Sequence, residues 1–456
     1  MPDTILWLRR DLRLADHPAL VAAHEAASGG SVLPLFVLDP SLWASAGPAR
    51  RAWLTASLSS LSEQYDGALV IRHGSPAQVL PRLAREVGAA SVHISAESTP
   101  FGRRRDERVR EALGREDVTL EAAGTPYAVG PGTLTTGGGT PYQVFTPFAR
   151  AWRAHGWPRP AAVPADLRWV RRVDSEDLPE VGDGVPDLPA AGEPAALERW
   201  HAFLDEGIED YAEHRDRPDL AGTSMLSASL KYGEVHPRTL LADLSALPHP
   251  RAKGPTTFGT ELAWREFYAD VLWHRPDSAW GDLKQELRGM AYDDPADHPG
   301  LLEAWQEGRT GFPFVDAGMR QLLAEGWVHN RVRMIVASFL VKDLHIWWPH
   351  GARHFLRHLR DGDIASNNHG WQWAAGTGTD ASPYFRIFNP VTQGRRFDPA
   401  GDYVRRYVPE LAHLAGAAAH EPWKAPDGYA HGYPEPIVDH AHEREVALER
   451  YAAAKG

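Results

Sequence analysis

"TILWLRR" at residues 4–10 and "VLPLFVLD" at residues 32–39 decide the fold class. Each is a short apolar run of strand length, and each leads into a stretch of helical character. The pattern recurs at "ALVIRHG" (68–74), "SVHISAES" (91–98) and "VTLEAAG" (118–124), separated by segments such as 49–65 and 76–87. Strands that alternate with helices predict a doubly wound, Rossmann-like parallel sheet over residues 1–125. No G-x-G-x-x-G follows the first run, so a dinucleotide pyrophosphate is not expected on that turn.

Outward from there the pattern changes twice. Residues 126–193, with "GPGTLTTGGGTPY" (130–142) and the acidic "DSEDLPEVGDGVPDLP" (174–189), read as a long interdomain connector. Residues 194–456 carry apolar side chains at three- and four-residue spacing, as in "GTELAWREFYADVLWH" and "NRVRMIVASFLVKDLHIWW", and predict a second, helical domain.

Composition bounds the function. At 456 residues, 43% hydrophobic and 24% charged, the chain reads as a soluble globular protein of two or three domains. Neither a signal peptide nor an apolar run of the roughly 18 residues a membrane helix needs is visible, which makes the cytoplasm the expected address. The absence of cysteine removes disulfides, thiolate nucleophiles and cysteine-ligated metals, so redox chemistry would need an organic cofactor or aromatic side chains. A net charge of −12 argues against a protein that coats nucleic acid, yet permits a local basic face. Between positions 320 and 360, seven cations (Arg320, Arg331, Arg333, Lys342, Arg353, Arg357, Arg360) outnumber two acids (Glu325, Asp343). A solvated helix surface and a polyanion-binding face both account for that excess. Trp347, Trp348, Trp371 and Trp373 fall within 27 positions, an unusual cluster beside a basic stretch.

The segment "DGDIASNNHGWQWAAGTGTD" (361–380) sets tryptophans among acids and amides, with no serine–histidine pair and no metal-ligand spacing. Asp361 and Asp363 flank a glycine, which suits a tight turn meeting arginines or a hydroxyl-rich ligand better than acid–base catalysis. "NRVRM" puts Arg331 and Met334 on one side of a helix and Arg333 on another. His329 and His369 read as packing or surface residues. "GTSMLSASLKYG" (222–233) gathers hydroxyls and free N–H groups at a helix start, either an anion site or a serine-rich cap.

Four long motifs bring these features together: "WLRRDLRLADHPAL" at the start, "ELAWREFY" (261–268), "GFPFVDAGMRQLLAEGWVHNRVRMIVASFLVKDL" (311–344) and "DGDIASNNHGWQWAAGTGTDASPYFRIFNPVTQG" (361–394). Through them the chain resembles the photolyase/cryptochrome flavoproteins from end to end, and most closely the bacterial cyclobutane pyrimidine dimer photolyases. The resemblance implies FAD in the helical domain and light-driven repair of ultraviolet-damaged DNA by a monomer that binds no membrane. It implies FAD contacts from Tyr211, Thr223, Ser224, Met225, Leu226, Ser227, Arg265, Arg333, Asp361, Gly362 and Asp363, with Asn367 beside flavin N5. It implies a pocket for a flipped-out lesion walled by Trp264 and Trp373, lined by Met334, with polar contacts from Glu261 and Asn330. Arg215 and Gln393 match DNA-contact positions, joined by the basic stretch and by Arg386, Arg395 and Arg396.

Trp371 and Trp348 match the inner and middle members of the family's electron-transfer chain, and Tyr292 is the aromatic nearest the outer one. Arg50, Glu97 and Lys231 match contacts to an 8-hydroxy-5-deazaflavin antenna, for which methenyltetrahydrofolate is the alternative. Two functional rivals share the fold. Asn367 opposes a plant-type signalling cryptochrome, which has aspartate there, and His329–Asn330 opposes a (6-4) photolyase, which pairs histidines.

Overall fold

The computed structural model describes residues 3–379 and 385–455; residues 380–384, part of the fourth motif, lie outside the described residues. Two compact units divide the chain, residues 1–209 with 224–276, and residues 210–223 with 277–456.

The first unit is built on the five expected strands: β1 (Thr4–Leu8), β2 (Val32–Leu38), β3 (Val70–His73), β4 (Ser91–Ile94) and β5 (Thr119–Ala122). They pair in parallel in the order β3-β2-β1-β4-β5, with Thr4 opposite Val32 and Leu8 opposite Phe36. All residues of β1 and β2 are buried, as parallel strands covered on both faces must be. Alternation divides them between two cores. Ile5, Trp7, Leu33, Leu35 and Val37 pack on one face, and Leu6, Leu8, Val32, Phe36 and Leu38 on the other.

Buried carboxylates tie later segments to the sheet within the first unit. Glu193 accepts from the backbone N–H groups of Leu14 (2.7 Å) and Ala15 (2.9 Å). Glu234 accepts from Trp53 Nε1 (2.9 Å), Ser57 Oγ (2.5 Å) and Gly192 N (3.0 Å). The connector is also more ordered than its composition suggests. It contains the helix Phe145–His155, and Glu266 on the helix Lys253–His274 accepts from Ala128 N, Val129 N and Trp152 Nε1.

The second unit is helical, its core formed by large side chains such as Trp305, Phe314, Phe339, Trp348, Phe355, Trp371 and Tyr403. Its central helices are Pro313–Glu325, Asn330–Lys342, Trp348–His358 and Ile364–Ala375. No helix among the described residues is long and apolar enough to cross a membrane.

Candidate functional site

The helix Ile364–Ala375 carries the centre of the acid- and amide-rich segment. Asp363 is its N-cap and accepts from Ser366 N at 3.0 Å, satisfying one donor of the first turn. Asp361 is buried, and its carboxylate accepts a 2.7 Å hydrogen bond from Arg333, whose Nε donates to Val328 O. The two acids of the turn therefore do different things: one starts a helix and the other holds an arginine. Gly362 is buried between them.

Asn367 donates from Nδ2 to Ala352 O (3.2 Å) and to Asn368 Oδ1 (2.8 Å). With both amide hydrogens engaged, its oxygen is the atom left to accept from a ligand N–H. Residues two apart on a helix do not share a face, and Trp371 and Trp373 separate accordingly. Trp371 is buried, edge-on to Phe355 (5.1 Å) and Trp305 (6.0 Å). Trp373 is half-buried and lines a cavity with Lys284, Lys342, Phe385, Arg386 and Phe388.

The helix Asn330–Lys342 begins at His329, whose Nδ1 accepts from Arg331 N at 3.2 Å. Burial, opposed by Asp216 and reinforced by Arg331, pushes this imidazole down to about 4. His369 is held between Ser278 Oγ (2.9 Å) and Ala365 O (2.7 Å), and burial takes it down to about 4 as well. Both imidazoles are therefore neutral at neutral pH.

Arg331 organises the neighbouring surface. It pairs with Asp216 (2.8 Å), touches Met334 Sδ (3.7 Å) and lies over the Phe397 ring (4.5 Å). Arg215 stands 3.9 Å from Asp216 and over the ring of the buried Tyr211. Arg215, Tyr211, Met334 and the helix Pro390–Phe397, which bears Gln393, therefore collect around one arginine, with Asn330 exposed at the helix start.

The basic stretch needs correction. Arg320 is bonded to Glu410 (2.7 Å), Arg331 to Asp216 and Arg333 to Asp361. Buried Lys342 donates to Arg386 O, and buried Arg360 to Glu325 O (3.0 Å). Five of the seven cations are thus engaged inside the unit, and only Arg353 and Arg357 are exposed. A count along the chain cannot see carboxylates and carbonyls that folding brings from elsewhere.

Comparison with known proteins gives this arrangement a family. A family model described as the FAD binding domain of DNA photolyase matches residues 258–453, and a DNA photolyase model matches residues 4–165. A deoxyribodipyrimidine photo-lyase of Halobacterium salinarum is 40% identical over 99% of this chain and 99% of its own. The crystal structure of a bacterial class III photolyase from Agrobacterium tumefaciens has a TM-score of 0.90 at 38% identity, covering 100% of this chain and 98% of that one. The Synechocystis cryptochrome structure reaches 0.89 at 27% identity, covering 98% and 99%. The chain belongs to the DNA photolyase family.

The residues present fit the FAD of the photolyase domain. Thr223, Ser224 and Ser227 make no hydroxyl hydrogen bond to another described residue, and the helix Ser227–Tyr232 begins without a side-chain cap. Met225 takes a left-handed φ of 53°, which costs a non-glycine residue about 1–2 kcal/mol, and Leu226 is buried beside it. Taken each by itself, the hydroxyl-rich turn suits the oxygens of a pyrophosphate and the Asn367 oxygen of the helical unit suits a ring N–H.

Arg265 has contacts of its own within the first unit. Its guanidinium donates to Pro126 O (3.0 Å) and Leu230 O (2.9 Å) and covers the Tyr127 ring, so it braces the backbone around the 224–230 turn. Trp264 is stacked on Phe145 at 3.6 Å and 7°, a flat wall supported from behind, and Glu261 is half-buried one turn earlier.

Glu97, Arg50 and Lys231 share one neighbourhood of the sheet unit. Arg10, just past β1, lies 3.9 Å from Glu97, just past β4, and donates to Lys231 O (3.3 Å). β1 and β4 are the strands where the sheet order switches direction, the place where ligands bind in open α/β sheets. Lys231 Nζ lies over the Tyr232 ring, and Tyr232 donates to Arg50 O (3.1 Å). Burial alone would raise the Glu97 carboxyl, but Arg10, Arg105 and Arg9 hold it below its ordinary value. Arg50 Nε is buried with no hydrogen-bond partner among the described residues.

Trp348 is fully buried and donates to Asp282 Oδ1 at 2.7 Å. Gly351 lies one turn further on, where the Trp371 ring presses on the helix; a Cβ there would stand 2.2 Å from Trp371 Cη2. The Tyr292 hydroxyl is buried without a partner among the described residues, and burial, with Asp282 nearby, pushes it well above the ordinary phenol value. Sequence reasoning missed Asp282, Glu266 and Gly351, none of which stands in a pattern that announces a role.

Proposed function

We propose that this chain splits cyclobutane pyrimidine dimers in ultraviolet-damaged DNA, driven by light. The observation that carries this reading is full-length similarity to deoxyribodipyrimidine photo-lyase, joined to an Asn367 amide whose oxygen alone is unengaged. When bound, reduced FAD supplies on illumination the electron that opens the cyclobutane ring, and takes it back afterwards.

The chain's own residues do the rest. Asp361, fixed by Arg333, and Asp363 hold the ligand side of the helix start, while Thr223, Ser224 and Ser227 receive phosphate oxygens with Tyr211, Met225 and Leu226 around them. Asn367 accepts from the reduced ring's N–H without adding a fixed negative charge. A dimer stacked in a duplex is out of reach, so it must be extruded, and enzymes that act on a base read it between flat apolar walls. Trp264, Trp373 and Met334 supply those walls, Glu261 and Asn330 the polar contacts. Arg215 and Gln393 meet the DNA backbone, and binding weakens as salt rises.

The antenna reading assigns 8-hydroxy-5-deazaflavin to Arg50, Glu97 and Lys231, because a buried guanidinium N–H and an ammonium flank the sheet's switch point. Absorption spectra of protein refolded with the deazaflavin or with methenyltetrahydrofolate decide between the two.

The test of function incubates chemically reduced protein with oligonucleotides carrying a cyclobutane dimer or a (6-4) product, in light and in darkness. Light-dependent loss of the dimer alone is expected. Repair of the (6-4) product alone, or of neither with FAD bound, would replace this reading with a (6-4) photolyase or a signalling cryptochrome.

A further inference from the structure

The family's tryptophan chain leads from a buried ring outward, and here it has two candidate ends. Tyr292 is the aromatic the sequence offers. Trp347 immediately precedes Trp348, is half-buried where Trp348 is fully buried, and its ring lies edge-on to Trp348 with centroids 6.3 Å apart. Both indoles donate to the same carboxylate: Trp348 to Asp282 Oδ1 at 2.7 Å and Trp347 to Asp282 Oδ2 at 3.2 Å. Asp282 is itself buried, held on the 277–290 segment by Arg288 Nε, which donates to its backbone oxygen at 2.9 Å.

An exit donor needs contact with the preceding ring, access to solvent and a base for the proton that an oxidised aromatic sheds. Tyr292 lacks the last: its hydroxyl has no acceptor among the described residues. Trp305 touches Trp371 edge-on at 6.0 Å, but it is fully buried and its N–H is bonded to Val336 O (3.0 Å), a carbonyl that cannot take a proton. Trp347 has all three.

We infer that Trp347, with Asp282 as its proton acceptor, ends the light-driven electron path that reduces the cofactor in this chain. The inference rests on the flavoprotein reading above. The oxidant is a photoexcited oxidised isoalloxazine, which takes one electron from Trp371. The vacancy passes to Trp348 and then to Trp347, restoring each earlier indole in turn. Trp347 loses one electron, its Nε1 proton moves to Asp282, and a neutral indolyl radical and a carboxylic acid remain. A soluble thiol then gives one electron to Trp347 and is oxidised to a thiyl radical, its own proton passing to water, while Asp282 returns its proton to Nε1 and is a carboxylate again. A path that stayed on fully buried Trp348 would be open to fast charge return.

The test is transient absorption and electron paramagnetic resonance after a light flash on the FAD-loaded, oxidised protein, comparing parent, Trp347→Phe, Tyr292→Phe and Asp282→Asn. The parent and Tyr292→Phe are expected to give the same long-lived indolyl radical, while Trp347→Phe loses it although its circular dichroism matches the parent. Asp282→Asn keeps the ring but lacks the base, so the radical should persist in its protonated, cationic form and decay faster. A long-lived radical retained in Trp347→Phe, or lost in Tyr292→Phe, would overturn the inference. So would unchanged deprotonation in Asp282→Asn, which settles the matter should Trp347→Phe fail to fold. A parent that binds FAD but gives no light-induced indolyl radical would overturn the inference as well, whereas a parent that takes up no FAD would overturn the flavoprotein reading on which it rests.

Discussion

Two glycines in the heart of the helical unit should respond to the same substitution with opposite sign. Gly351 and Gly370 both lie inside helices, where replacing glycine by alanine relieves a backbone-entropy penalty of roughly 1 kcal/mol. A Cβ on Gly370 meets nothing within 4 Å, so that gain stands alone. A Cβ on Gly351 would lie 2.2 Å from Trp371 Cη2 and 2.6 Å from Leu340 Cδ2. Ordinary carbon contact is near 3.5–4 Å, so the ring, the helix or both must move by more than an ångström, and such overpacking costs typically about 1–3 kcal/mol. The overlap is large and the neighbours are buried, which places Gly351→Ala at the upper end. The net expectation is a loss of about 2 kcal/mol for Gly351→Ala and a gain of up to about 1 kcal/mol for Gly370→Ala. Urea unfolding followed by tryptophan emission measures both midpoints against the parent. Equal midpoints for the two variants, or Gly351→Ala more stable than the parent, would show that the Trp371 ring does not rest on this helix as described.

Two further perturbations test the unit's polar groups. Burial, partly offset by Asp343 and reinforced by Arg386, lowers the Lys342 ammonium from its ordinary value to about 7. The unfolded chain therefore binds more protons than the folded one between about pH 7 and pH 10, and stability rises with pH across that window. Lys342→Met should flatten the rise in a pH series of unfolding midpoints. Asn367→Asp replaces two donated hydrogen bonds with a carboxylate facing Ala352 O and Asn368 Oδ1, a change expected to cost about 1–3 kcal/mol. An unchanged thermal midpoint would contradict the assigned amide orientation.

Legibility in the sequence followed the range of the interactions. Strands β1 and β2 were readable because a parallel strand buried on both faces leaves an unbroken apolar run, which needs no knowledge of its partners. The D-G-D turn was readable as a turn that meets an arginine, and Arg331 and Met334 as helix neighbours, since both facts are local. Charge function was not. The count over 320–360 suggested a phosphate-facing surface, yet Glu410, Asp216, Asp361 and the Arg386 and Glu325 carbonyls claim five of those cations from positions far along the chain. Asp282 shows the same limit, for its importance comes only from the two indoles that converge on it. Glu193 and Glu234 show the limit too, for their partners lie 178–179 and 42–181 residues away.

Glu266 carries a practical consequence for anyone who wishes to cut or extend this chain. Its carboxylate fastens the early connector at Ala128 and Val129 and the helix at Trp152. Residues 175–177 are tied to β3 instead, where His73 N donates to Glu176 (2.8 Å) and Ile71 N to Ser175 Oγ (2.9 Å), and residues 182–185 beyond them are exposed. A genetically split version should therefore reassemble from two fragments broken near residue 183, whereas a break near residue 130 would separate backbone N–H groups from the buried acid that needs them.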